Sequence, residues 1–161
     1  MKRQGTKIVV ALALGLLAVA GAAMATPGID VLGIVHARGT NADELNIHSA
    51  HGIKLKTHGA VDFVTQQITI APGGTTGWHS HPGPVLVTVK SGALTIVYAD
   101  DPTCAGRTYT AGESFVDRGA ETVHTARNTG TTPVELWATY LVPGGPGVPF
   151  RIDESDPGCD F

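Results

Sequence analysis

VLVTVKSGALTIVY, Val85 to Tyr98, is two β-branched runs with Ser91-Gly92 between them. Serine-glycine between such runs is a two-residue turn signal, so the stretch reads as a hairpin. Strand side chains alternate, which puts Val85, Val87 and Val89 on one face and Leu86, Thr88 and Lys90 on the other. Lys90 marks the wet face, so the valines should face the interior.

The same texture extends in both directions from residue 53. The runs IKLKTH, VDFVTQQITI, TTGWHSH, ESFVD, TVHTAR and VELWATYL alternate with the breakers PGG, PGP, DDPTCAG, RGAE and NTGTTP. No segment beyond the N-terminal apolar run carries a helical stripe of ten or more residues. About eight short strands at this spacing predict an all-β barrel or sandwich, and 21 glycines and 10 prolines suit its many turns. The barrel is expected over residues 53–142 as a single domain. Residues 26–52 read as an N-terminal extension with an edge strand at VLGIVHA, and 143–161 as a C-terminal tail.

Residues 1–25 read as an export signal. Lys2, Arg3 and Lys7 precede the apolar run IVVALALGLLAVAGAA, and AMA supplies small residues for cleavage after Ala25. The run is shorter than the roughly 20 residues that span a bilayer, which argues against a stable membrane anchor. The expected destination is therefore secreted or periplasmic. Cleavage leaves 8 basic against 14 acidic residues, a net charge near −6 with no basic cluster, which argues against nucleic acid as a partner. In an oxidising compartment the two cysteines, Cys104 and Cys159, should form a disulfide that ties the tail to the loop DDPTCAG. Neither lies in a C-x-x-C motif, so they carry no redox-catalytic signal.

Seven histidines are present, and two of them, His79 and His81, flank Ser80. In a strand, residues i and i+2 share a face, so this pair could converge on one metal ion. As a pair they fit two exposed imidazoles equally well. The frame around them is more specific. Gly73 precedes His79 by five intervening residues, Gly92 follows Val85 by six, and Gly112 leads to His124 and then Asn128.

This arrangement resembles the two motifs of the cupin family, G-x5-H-x-H-x3–4-E-x6-G and G-x5-P-x-G-x2-H-x3-N. There are departures: Val85 stands at the glutamate position, Leu86 at the alternative spacing, Arg118 replaces the proline, Ala120 replaces the glycine, and His124 lies one residue late. The resemblance implies a small jelly-roll β-barrel and a divalent metal held by His79, His81 and His124. Three neutral imidazoles leave the ion's charge uncompensated, with positions open to water. Such a site favours Fe2+ and O2 chemistry, while Zn2+, Mn2+, Ni2+ or Cu2+ could also be held. It would suit a small anionic, chelating organic molecule. A homodimer paired through edge strands is a further expectation from the resemblance.

The remaining candidates read more plainly. Glu113, Asp117 and Glu121 all lie in the region of the second motif, and each is expected as a surface acid on a turn. His36, His48, His51 and His58 have no framing motif and are expected in solvent. Asn128 should fix a turn. Trp78, Phe115, Trp137 and Tyr140 are candidate pocket walls, with barrel core as the plainer expectation. No general base or nucleophile identifies itself. The expected function is thus a metal-dependent dioxygenase-like oxidoreductase, with a non-catalytic metal or small-molecule binder as the alternative.

Overall fold

The computed structural model describes residues 25–120, 122–159 and 161. Among them there is no helix, and twelve strands account for the fold. They are β1 (Ile29–Asn41), β2 (Asn46–His48), β3 (Lys54–Lys56), β4 (Val61–Thr75), β5 (His79–Ser80) and β6 (Val85–Ser91). Then come β7 (Ala93–Tyr98), β8 (Arg107–Thr110), β9 (Ser114–Asp117), β10 (His124–Arg127), β11 (Val134–Pro143) and β12 (Ile152–Asp153). The candidate signal segment, apart from Ala25, lies outside the described residues.

Two antiparallel layers form a jelly-roll barrel. One has the order β1-β4-β11-β6-β9, and the other β8-β7-β10-β5-β12. They join where Thr75 at the end of β4 pairs with Arg127 of β10. The PGG segment lets β4 change layers: Gly73 has φ of +77°, and a Cβ on Gly74 would lie 2.9 Å from two backbone oxygens. β2 and β3 form a separate hairpin.

The valine face is as expected. Val85, Val87 and Val89 are 2%, 7% and 0% exposed, whereas Leu86 is 49% exposed. They meet Leu94 and Ile96 of β7 and the inward residues Val134, Leu136, Ala138, Tyr140 and Val142 of β11 in one core.

The expected hairpin does not form. β6 pairs with β9 and β11, while β7 pairs with β8 and β10, so Ser91-Gly92 turns the chain from one layer to the other. Gly92 has φ of +79°, and a Cβ there would stand 2.8 Å from the Pro133 carbonyl, so the corner needs glycine. Both arms still direct an apolar face inward, which is why alternation alone fits either geometry.

The edge strand expected at Val31–Ala37 is longer, and β1 pairs with nearly the full length of β4. β8 and β12 were not expected from the sequence. The tail does carry the disulfide, Cys104–Cys159, whose Cα atoms are 5.8 Å apart. Cys159 packs with Trp78 and Val97 in a second, small core.

Candidate metal centre

β5 ends at the Pro82-Gly83-Pro84 break, after which β6 begins at Val85. His79 lies directly opposite His124 across the β5–β10 pair. His81 follows on the same face, while Ser80 turns away and donates to Glu154 Oε1 at 2.8 Å. The three histidines are buried, and one nitrogen from each lies within 4.8 Å of the others.

Their hydrogen bonds fix which nitrogen that is. Nδ1 of His79 donates to the Gly77 carbonyl at 2.8 Å, Nδ1 of His81 to Phe150 O at 2.6 Å, and Nδ1 of His124 to Thr122 O at 3.0 Å. A ring whose Nδ1 carries the proton keeps a lone pair on Nε2, the form a metal requires. Burial pushes all three toward the neutral state. The His79 pKa falls well below the ordinary histidine value and His124 falls too, while His81 is lowered to about 4. Desolvation is the main cause in each case, since an imidazolium loses its hydration in an apolar barrel.

The trio opens on a cavity of about 40 Å3 lined by Val85, Val87, Leu94, Ile96, Leu136 and Ala138 among others. At roughly 10–15 Å3 per molecule, that is room for two to four waters. A second cavity of about 300 Å3 shares Ile68, Thr76, His79 and Tyr140 with the first and adds Gln66, Phe150 and Arg151. Arg151 is held there by donating to Thr76 O and Asp153 Oδ1, both at 2.8 Å. The residues therefore fit a divalent ion: three converging neutral nitrogens, a polar tip in an otherwise apolar chamber, and room for small ligands.

One expectation is corrected. Asp117 is no surface acid: it is 2% exposed and lines the same cavity as the histidines. Its Oδ2 is 3.3 Å from His124 Nδ1, and its Oδ1 accepts the Gly119 amide at 2.8 Å. Tyr98 O–H donates to Oδ2 at 3.4 Å, and burial, then Asp117, pushes that phenol up to about 12. Asp117 ends a strand whose alternation points it inward, but only the pairing of β9 with β6 makes that face the barrel interior. Glu113 is at the surface as expected, bound to Thr110, and Glu121 lies outside the described residues.

His36, His48, His51 and His58 are all exposed. Asn128 fixes a turn, donating to the Ile70 and Thr132 carbonyls and accepting from Gly130 N. Of the candidate walls, Phe115 and Tyr140 line the cavity, whereas Trp78 belongs to the small core and Trp137 stacks on His36. The contribution of the tail was missed. Phe150 caps His81, β12 pairs with the ligand strand, and Glu154 N donates to Trp78 O at 2.9 Å. A tail rich in Gly and Pro carries no periodic signal that could have revealed this.

Among known proteins, a cupin-domain family model matches residues 66–142. No curated protein matches the chain. A cupin superfamily protein from Desulfitobacterium hafniense is similar in structure, with 12% identity, TM-score 0.48, and coverage of 70% of this chain and 77% of that one. A cupin domain from Bordetella pertussis has 19% identity and TM-score 0.45 over 73% and 97% of the two chains. An oxalate oxidase has 26% identity and TM-score 0.40, covering 48% of this chain and 40% of its own. The family match runs from within β4 into β11, the stretch that holds all three histidines, and over these residues the chain matches the cupin-domain family.

Proposed function

We propose that the protein is an exported, metal-binding cupin in which His79, His81 and His124 hold a divalent ion, Fe2+ by preference. Its activity is oxidation or oxygenation of a small anionic organic molecule. The observation that carries this reading is the shared geometry of the three rings, each Nδ1 tied to a backbone carbonyl and each Nε2 left for a common point. The ion, when bound, supplies Lewis acidity and, if it is iron, redox chemistry.

The chain's own residues supply the rest. Val85, Val87, Leu94 and Ile96 keep bulk water from the histidine face. Arg151 places a fixed positive charge in the adjoining cavity, where an anionic group would approach. Tyr140 donates to Gln66 Oε1 at 2.8 Å and separates the two chambers. Burial raises the Tyr140 phenol well above its ordinary value, so it stays a hydrogen-bond donor. The disulfide is compatible with export, and cleavage after Ala25 predicts a mature N-terminus at Thr26, read directly by intact mass.

The small inner cavity favours a second reading, a non-catalytic binder of the metal or of a small ligand. Metal analysis of natively expressed protein tests the common part: protein that is metal-free and cannot be reconstituted rejects both readings. Oxygen uptake by anaerobically iron-loaded protein, screened against diketones, thiol acids and catechols, separates them. Uptake with any of these supports the enzyme, and none supports the binder.

A further inference from the structure

Val85 stands at the glutamate position of the motif that the sequence resembles, and it is buried against the cavity. The antiparallel register of β6 and β9 puts Asp117 directly opposite it, on the same inward face. Side chains at such positions have Cβ atoms roughly 4.5–5.5 Å apart, so the two occupy one patch of the barrel wall. A carboxylate missing from one strand is thus present on its neighbour. Among the described residues, no Lys or Arg lies within ion-pair distance of Asp117, and the basic ring beside it, His124, is held neutral by burial. A buried carboxylate without a cation is costly. A divalent ion at the three histidines would give it one.

Resting on the metal-binding reading above, we propose that Asp117 supplies the carboxylate that Val85 does not and acts as a positioning residue through His124. The geometry supports an indirect role. Asp117 Oδ2 faces Nδ1 of His124, the side of the ring turned away from the shared Nε2 point. The Nδ1 proton of His124 goes to the Thr122 carbonyl, so Asp117 acts on the ring through its charge at 3.3 Å, which strengthens the other nitrogen as a donor. Oδ1, held by the Gly119 amide, prevents the carboxylate from swinging away. Together they would set a carboxylate beside His124 while the Val85 side of the cavity stays apolar.

The test is cobalt affinity, measured by competition against a chromophoric chelator on the full mature protein. Asp117→Asn keeps the shape and removes the charge, and should weaken binding about 10–100-fold. Glu113→Gln alters an exposed acid bound to Thr110, away from the cavity, and should leave affinity within about threefold of wild type. Val85→Glu/Asp117→Asn returns a carboxylate to the same face and should recover most of the affinity. Wild-type affinity in Asp117→Asn overturns the proposal, as does failure of the folded double variant to recover. If Asp117→Asn does not fold, the double variant alone decides, by binding or not binding cobalt. A wild-type protein that binds no metal would instead reject the underlying metal-site reading.

Discussion

Lowering the pH should destabilise the metal-free protein through its buried histidines. The His81 pKa is held at about 4, against 6.5 for an unperturbed imidazole. Between these values the unfolded chain takes up a proton that the folded chain refuses, so stability falls as pH falls. The contribution is fully present above pH 6.5, is lost progressively below it, and levels off near pH 4. A displacement of this size corresponds to about 3 kcal/mol from His81 alone. His79 and His124 act in the same direction. Against a typical 5–15 kcal/mol of total stability, that is a large fraction. Urea denaturation of chelator-treated protein, stepped from pH 7.5 to 4, reads the effect. Carboxylates contribute to any acid loss, so the comparison is with His81→Gln, whose amide can still donate to Phe150 O but does not titrate. Wild type should lose about 3 kcal/mol more than the variant across the interval. Parallel curves for the two proteins would refute the assignment of a buried neutral His81.

His79→Ala and His124→Ala should lose bound metal and His48→Ala should keep it, as read by metal analysis after gel filtration; retention in the first two rejects the ligand assignment. Cys104→Ser/Cys159→Ser should cost roughly 4 kcal/mol in thermal or urea unfolding, because the bridge closes a long loop. The same variant should also bind metal more weakly, since the tail it anchors supplies the Phe150 carbonyl to His81. Adjacent residues in the turn after Asp117 should respond with opposite signs. Ala120 has φ of +52°, so Ala120→Gly should stabilise by about 1 kcal/mol. Gly119 has φ of +65° and packs against the Gly83 backbone, so Gly119→Ala should destabilise by about 1–3 kcal/mol or more. Equal melting temperatures for both variants would contradict the backbone argument.

The all-β class and the inward valine face were legible in the sequence, because strand alternation and glycine-proline punctuation are local. So was the histidine trio. His79 and His81 share a face by strand periodicity, and the glycine frame and His124 identified the second strand. The disulfide followed from two cysteines downstream of a segment that reads as an export signal. Pairing partners were not legible. VLVTVKSGALTIVY satisfies its alternation either as a hairpin or across two layers, and the choice depends on β9, β11, β8 and β10. For the same reason Asp117 looked like a turn acid: its burial depends on lying opposite Val85, a contact between strands far apart in sequence. Period-two patterning states which side of a strand is dry. Which neighbour shares that dry side, and so what surrounds the histidines, is set by long-range backbone pairing that no local pattern encodes.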